Sequence, residues 1–399
     1  MRHDIIELAK KHDQWRNSSC INLQPSENIL SPAVRRLLAS DMASRYTLRS
    51  NEFIGNGGAS NSYGGTKYMD EIERRGEETA SKLFGARTSL KPLSGHIASL
   101  LMIASVCRKG DTIMAVSSAD GGYDGYGQAY IPDLFSLKFR PLQFDREIWN
   151  VKGEETAEDI RRYKPKLVVL GQSFILFPYD IGPISDACRE EGTVLAYDAS
   201  HVLGLVAGGR FQRPIQERCD ILIGSTHKSF PGPQGGIFAT NDDGIWKSFV
   251  WNCTWRLIDN AHWNRIAALS QAMEEMRRHA SNYAARIEAN TQALGRSLGE
   301  EGVVCKFSGI GYSRSHQLHL DSDALASMDL SLAKLNEELE KNDIIVDTTG
   351  RIGTSEVSRL GMGAREMRLI SALVGGALRG ENVKAEANRL RKRFDVHYL

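Results

Sequence analysis

In "TVLAYDAS" (193–200) and "DILIGSTHKSFPGPQGGIFATN" (220–241), a short apolar run ends at small and polar residues. Similar runs occur upstream in "DTIMAVSSA" (111–119) and "PKLVVLGQS" (165–173), and segments with helical spacing separate them. Short strands that alternate with helices are typical of a mostly parallel sheet with both faces covered. The sequence therefore predicts an α/β domain.

The composition restricts the classes of partner. The 399 residues include 50 basic and 49 acidic side chains, a formal net charge of +1, and 41% are hydrophobic. A balanced charge provides no field for nucleic acid or an anionic membrane, so we expect neither as a partner. The six cysteines are scattered without metal-ligand spacing, which predicts buried free thiols and no metal site. The charged N-terminus lacks the apolar core of a secretory signal, so we expect a cytoplasmic protein.

Changes of pattern along the chain predict three parts. An N-terminal arm is expected over 1–50, and the large α/β domain over 51–275. A long helical pattern covers roughly 262–300. After it, shorter helical and apolar segments predict a smaller α+β domain over 276–399.

Polar residues directly after the apolar runs are candidates for a site, because α/β sheets bind ligands beyond the carboxyl ends of their strands. These residues are Ser173, Asp198, His201 and Lys228. A lysine partly removed from water has a lowered pKa and can form a Schiff base with a carbonyl group. An aspartate nearby can keep a pyridine nitrogen protonated. The alternatives are a solvated surface lysine and an aspartate that caps a turn.

Two further segments suggest anion binding. "PLSGHIAS" (92–99) places Ser94, Gly95 and His96 at a predicted helix start, where free N–H groups favour a phosphate. "GRIGTSEVSRLGM" (350–362) contains Arg351 and Arg359, and a guanidinium group can bind a substrate carboxylate through two hydrogen bonds. A surface ion pair is the alternative for either arginine.

Taken in order, several motifs resemble the serine hydroxymethyltransferase family. They are "LQPSEN", "SYGGTKYMDEIE", "KLFGA", "PLSG", "ADGGY", "YDASHVLGLVAGG", "STHKSFPGPQGG" and "RIGTSEVSRLGM". The resemblance implies the aspartate-aminotransferase-like fold of pyridoxal 5'-phosphate enzymes. It also implies a homodimer with active sites shared between subunits.

The resemblance also implies roles for individual residues. Lys228 would form the Schiff base with the cofactor, and Asp198 would face its pyridine nitrogen. Other cofactor contacts would come from Ser94, Gly95, His96, Tyr123, Ser173, His201, Ser225, His227 and Tyr46. Substrate would be bound by Ser26, Arg351 and Tyr63. Glu27, Glu52, Tyr63 and His201 would join Lys228 and Asp198 in catalysis. Tyr46 and Tyr63 would reach across from a partner subunit.

The chain departs from the family pattern at several positions. Tyr123 stands where the family has a histidine stacked on the cofactor, and Gln234 stands where it usually has an arginine. Ser62 replaces the first tyrosine of a pair, and the loop that contains Glu52 is longer. The Trp-rich segment 246–263 replaces a glycine-rich segment. These departures place the use of tetrahydrofolate in doubt.

The favoured reaction is aldol or retro-aldol chemistry at Cα of an amino acid, of the hydroxymethyltransferase, aldolase or transaldolase type. Decarboxylation, β-elimination or transamination of a larger amino acid in specialised metabolism is the alternative. "STHK" (225–228) also fits the S-x-x-K pattern of serine acyl-transfer enzymes, with Ser225 as nucleophile, although the other motifs of that class are missing from the sequence. A scaffold without catalytic activity is the remaining alternative.

Overall fold

The computed structural model describes residues 4–49, 61–327 and 329–396. Its strands are β1 (Ile21–Asn22), β2 (Arg87–Ser89), β3 (Thr112–Ala115), β4 (Lys138–Pro141), β5 (Phe144–Asp145), β6 (Asn150–Val151), β7 (Leu167–Leu170), β8 (Val194–Asp198), β9 (Ile221–Ser225), β10 (Gly236–Thr240), β11 (Gln317–His319), β12 (Ile344–Ile345) and β13 (Arg351–Gly353).

The α-helices are α1 (Ile5–Ser18), α2 (Pro32–Leu38), α3 (Lys67–Phe84), α4 (Gly95–Val106), α5 (Ile131–Leu134), α6 (Gly153–Tyr163), α7 (Ile181–Glu191), α8 (Leu203–Ala207), α9 (Asp243–Asn252), α10 (Trp263–Glu300), α11 (Ser322–Ser327), α12 (Leu332–Lys341), α13 (Ser355–Arg359), α14 (Ala364–Leu378) and α15 (Lys384–Arg391). Of the helices within these described ranges, none is long and apolar enough to cross a membrane.

Contacts divide the chain into two compact units. The larger unit comprises Leu30–Ala280, and the smaller unit comprises Met1–Ile29 together with Ser281–Leu399. The three-part division drawn from the sequence stays a prediction.

The larger unit is built on a mixed sheet. Among the residues that the structure describes, seven strands form this sheet in the order β2-β10-β9-β8-β7-β3-β4. The five strands from β9 to β4 are parallel to one another, and β10 is antiparallel to both of its neighbours. The strand Leu167–Leu170 is buried at every position, as a central parallel strand covered on both faces should be. The predicted mostly parallel α/β fold is confirmed.

The core of this unit lies between the sheet and α4. From Ala98 to Val106 this helix is buried at every residue, because it is apolar on all sides. All six cysteines of the chain are free and buried, as predicted.

The Trp-rich segment folds as α9 followed by a π-helical turn over Cys253–Leu257. Trp246 is half-buried, packs against the core beside Phe249 and lines a cavity of about 200 Å³. Trp251 and Trp255 are exposed, and their ring centroids lie 6.3 Å apart.

In the smaller unit, β1 pairs in parallel with β12, and β11 pairs antiparallel with β13. Helices α12, α14 and α15 contribute Leu335, Ile370 and Leu390 to a separate apolar core. The apolar segment 303–307 contributes only an isolated bridge between Cys305 and Leu320 within the described ranges.

Candidate active site

Polar residues meet at the carboxyl ends of β7, β8 and β9, beside the N-terminus of α4. They line a cavity of about 280 Å³, close to the lower end of the range for small-molecule sites. The lining residues are Ser94, Gly95, His96, Ser99, Tyr123, Gln172, Ser173, Asp198, Ser200, His201, Ser225, His227, Lys228 and Gln234. Most residues that the sequence predicted for the cofactor site therefore come together in the larger unit.

Lys228 lies in the loop between β9 and β10. Thr226 ties this loop together, because its N–H donates to the Gly235 carbonyl (3.1 Å) and its hydroxyl donates to the Pro233 carbonyl (2.7 Å). The loop is thereby folded back on itself, and Nζ of Lys228 lies 3.1 Å from Nε2 of His201. An amine and an imidazole at this distance can exchange a proton.

Asp198 ends β8 and is buried, with both carboxylate oxygens hydrogen-bonded. Oδ1 accepts the Ser200 N–H at 2.9 Å, and Oδ2 accepts the Tyr126 hydroxyl at 2.8 Å. The Tyr126 hydroxyl also lies 2.9 Å from Oγ of Ser99 on α4. These bonds satisfy a carboxylate that would otherwise be costly to bury.

The N-terminus of α4 forms one wall of the cavity. The Ser94 side chain caps the helix by accepting the Ile97 N–H at 3.1 Å. Gly95 follows, and a Cβ on it would lie 2.1 Å from Oγ of Ser225. The first N–H groups of a helix have no intrahelical partner and favour an anion. The glycine thus keeps open a cradle suited to a phosphate.

Tyr123 and His96 form a pair at the cavity. Nδ1 of His96 lies 2.7 Å from the Tyr123 hydroxyl. Burial raises the pKa of Tyr123, and the negative charge of Asp198 raises it further. Tyr123 therefore presents a neutral phenol to the cavity.

His227 precedes Lys228 and carries a buried Nδ1 atom that has no hydrogen-bond partner. Burial lowers the pKa of His227 to about 4, and the charge of Lys228 contributes to the shift. The imidazole is therefore neutral at pH 7. Its unpaired nitrogen is suited to a polar ligand in the cavity.

The other predicted residues are not among the described residues that line this cavity. Ser26, Glu27 and Arg351 belong to the smaller unit, where Arg351 Nε donates to Asp347 Oδ2 at 2.8 Å. Arg359 is almost fully buried in that unit.

Tyr46 and Tyr63 pack edge to face, with ring centroids 4.8 Å apart, on the surface of the larger unit. Neither is among the described residues that line the cavity. The Tyr46 hydroxyl donates to Asp259 Oδ2 at 2.7 Å, which raises the pKa of Tyr46 to about 12. Glu52 lies outside the described residues.

Several lining residues were not predicted from the sequence, namely Ser99, Gln172 and Ser200. Tyr126, which bonds to Asp198, was also missed. The sequence feature that could have pointed to Tyr126 is its position three residues after Tyr123 in "GGYDGYG". Without the fold, nothing indicated that its hydroxyl would reach β8.

Comparison with known proteins identifies the family of the chain. The family profile described as serine hydroxymethyltransferase matches residues 2–253. A serine hydroxymethyltransferase of Methanobrevibacter smithii is 35% identical over 416 residues, with 100% of this chain and 96% of that protein covered. One of Korarchaeum cryptofilum is 34% identical over 412 residues, with 96% and 93% covered.

A solved structure has a similar fold. The L-threonine transaldolase from Pseudomonas fluorescens, described as in its internal aldimine state, superposes with a TM-score of 0.84 at 22% identity. The match covers 97% of this chain and 90% of that one.

The fold and the site together define a pyridoxal phosphate-dependent enzyme of the transferase class. Within that class, the chain belongs to the serine hydroxymethyltransferase family. Its cofactor is pyridoxal 5'-phosphate.

The residues present fit this cofactor. The cavity offers a lysine amine, a buried carboxylate, a helix N-terminus and the unpaired nitrogen of His227. An aldehyde, a pyridine nitrogen and a phosphate need groups of these kinds.

Proposed function

We propose that the protein catalyses aldol-type cleavage and formation of the Cα–Cβ bond of a β-hydroxy amino acid. The observation that carries this proposal is the placement of Lys228, His201 and Asp198 in one cavity beside the N-terminus of α4. The names of the similar proteins agree with it, because they are hydroxymethyltransferases and a transaldolase.

Most of the cavity residues have a proposed part in holding the cofactor. Lys228 would anchor its aldehyde carbon, and Asp198 would bind its ring nitrogen. Ser94 and Gly95 on α4, with His227, would bind its phosphate. Ser173 and His201 would contact its phenolic oxygen, Tyr123 would stack on its ring, and His96 and Ser225 would complete the cofactor contacts. When bound, the cofactor withdraws electrons from the Cα of the amino acid.

The protein residues then handle protons and orientation. The amine of Lys228 would take up and return protons during the reaction, and His201, whose Nε2 lies 3.1 Å from Nζ, would share them. Arg351 and Ser26 are proposed to hold the substrate carboxylate. Binding of the carboxylate orients the amino acid, and this orientation determines which bond at Cα is cleaved.

The remaining roles rest on the family resemblance. Glu27, Glu52 and Tyr63 are proposed to take part in catalysis. Tyr46 and Tyr63 are proposed to act in the active site of a partner subunit, which requires a homodimer. A cytoplasmic location follows the same resemblance and the free thiols.

We further propose that the reaction proceeds without folate. The supporting observation is Gln234, which lines the cavity in place of the arginine expected from the family. Its amide carries no charge to attract the carboxylates of a folate tail. Without folate, release of the cleaved aldehyde would be aldolase activity, and addition of a second aldehyde at Cα would be transaldolase activity.

The proposed function can be tested by incubating the reconstituted enzyme with L-serine, L-threonine and larger β-hydroxy amino acids. Free aldehyde and glycine are quantified with and without tetrahydrofolate. We expect aldehyde release from at least one of these amino acids, with no stimulation of serine turnover by tetrahydrofolate. Lys228→Ala should abolish release, whereas Lys247→Ala, at an exposed position on α9, should not.

Strong stimulation of serine turnover by tetrahydrofolate would refute folate independence. Release of carbon dioxide without aldehyde would instead support decarboxylation. Release of a keto acid without aldehyde would support β-elimination or transamination.

A further inference from the structure

The phenol of Tyr126 lies behind the cavity, against the carboxylate of Asp198. Tyr126 is 1% exposed, and its hydroxyl donates to Oδ2 of Asp198 at 2.8 Å. The same hydroxyl is 2.9 Å from Oγ of Ser99. An ionised carboxylate accepts hydrogen bonds and donates none, so the phenolic proton points toward Asp198.

We propose that Tyr126 is a positioning residue that orients the Asp198 carboxylate toward the ring nitrogen of the cofactor. It also sets how strongly this carboxylate accepts a hydrogen bond from the ring N–H. This inference rests on the proposed function, because it requires the ring to lie against Asp198.

The geometry around Asp198 supports this role. The Ser200 N–H at Oδ1 and the Tyr126 hydroxyl at Oδ2 hold one oxygen each, which fixes the plane of the carboxylate. The lone pairs left over are the ones available to the ring nitrogen. Because a charge-assisted hydrogen bond withdraws electron density from its acceptor, the phenol also makes Oδ2 a weaker base.

The phenol stays protonated over the working range of pH. Burial raises the pKa of Tyr126 well above its usual value, and the negative charge of Asp198 raises it further. Among the described residues that line the cavity, Tyr123 is the only tyrosine, and its hydroxyl is bonded to His96. Tyr126 is therefore a permanent donor to Asp198.

The chain offers a matched control in Tyr197. This tyrosine precedes Asp198 on β8, is fully buried, and donates its hydroxyl to Oε1 of Gln212 at 2.9 Å. Successive side chains on a strand point to opposite faces, so Tyr197 points away from the face that carries Asp198. Tyr126→Phe removes the bond to the Asp198 carboxylate and the contact with Ser99, whereas Tyr197→Phe removes one bond to a neutral amide. Tyr197→Phe therefore controls for the loss of a buried tyrosine hydroxyl on the same strand as Asp198.

The experiment compares wild type, Tyr126→Phe and Tyr197→Phe. Each protein is reconstituted with pyridoxal phosphate that carries ¹⁵N in the ring. The cofactor Kd is measured by fluorescence titration, and the ring-nitrogen chemical shift is measured by NMR. Urea denaturation of the cofactor-free proteins measures the structural cost of each change.

We expect Tyr126→Phe to raise the cofactor Kd by up to about tenfold, because the carboxylate is no longer held in one plane toward the ring nitrogen, and to move the ring-nitrogen resonance. Both Tyr→Phe variants should lower the free energy of unfolding of the cofactor-free protein. The cofactor Kd and the ring-nitrogen resonance of Tyr197→Phe should nevertheless match those of the wild type. Ser99→Ala, which keeps the bond between Tyr126 and Asp198, should move the resonance in the same direction by less. Ser99→Ala also tests the inference if Tyr126→Phe fails to fold.

An unchanged resonance in Tyr126→Phe, or equal changes in the two Tyr→Phe variants, would overturn the inference while leaving the proposed function intact. An unmoved resonance in Ser99→Ala would overturn it if that variant is the one that folds. Failure of the wild type to bind the cofactor would overturn both.

Discussion

The substitution Gly95→Ala perturbs the N-terminus of α4 where the helix approaches Ser225 on β9 closely. The added Cβ would lie 2.1 Å from Oγ of Ser225, 3.3 Å from its Cβ and 3.1 Å from Oγ of Ser200. The closest distance is more than 1 Å short of ordinary van der Waals contact at 3.4 Å. The Ser225 side chain and the start of the helix must therefore move apart.

Overpacking of this kind costs about 1–3 kcal/mol of the free energy of unfolding. Because the displaced N–H groups are those proposed to bind the cofactor phosphate, we also expect the cofactor Kd to rise about tenfold or more. Urea denaturation of the cofactor-free protein measures the first effect, and fluorescence titration with pyridoxal phosphate measures the second.

Two further variants make this test specific. In Gly95→Ala combined with Ser225→Ala, the closest atom is removed, so part of the lost stability should be recovered. Gly299→Ala, within α10, meets nothing within 4 Å and should stabilise the protein by up to about 1 kcal/mol. Wild-type stability and affinity in Gly95→Ala would refute the reasoning, as would a double variant no better than the single one.

Two further predictions concern stability. His227 has a folded pKa of about 4 against a usual 6.5, so the unfolded chain takes up the proton first as the pH falls. His227 should therefore contribute a loss of up to about 3 kcal/mol between pH 6.5 and 4, measured as the change in the stability difference between the cofactor-free wild type and His227→Gln. Glu73 is buried on α3 with Lys91 and Arg49 each at 3.2 Å. Glu73→Ala should therefore cost about 3–5 kcal/mol, whereas exposed Glu78→Ala should cost less than about 0.5 kcal/mol. A stability difference between wild type and His227→Gln that does not change with pH, or equal costs for the two glutamates, would contradict these predictions.

The sequence predicted the central strands because they are apolar throughout and are bounded by turn residues. It did not reveal β2 and β4, whose sequences are "RTS" and "KFRP". Charged and proline residues are tolerated there because both strands lie at the edges of the sheet. A pattern search that requires apolar runs misses such strands.

The same limit applies to the candidate site. Lys228 and Asp198 could be predicted because each follows an apolar run at the edge of the sheet where ligands bind. Tyr126 lies in a short 3₁₀ turn far from Asp198 in sequence, and only the folded chain brings its hydroxyl to that carboxylate. Long-range hydrogen bonds of this kind leave no periodic signal in the sequence.

The central claim is that the amine of Lys228 anchors the cofactor. Reduction of the reconstituted protein with borohydride, followed by peptide mapping by mass spectrometry, tests it most directly. We predict one pyridoxyl adduct, on Lys228, and its loss in a folded Lys228→Ala variant. An adduct on another lysine, such as Lys91, or cofactor that stays bound without forming an adduct would contradict the claim.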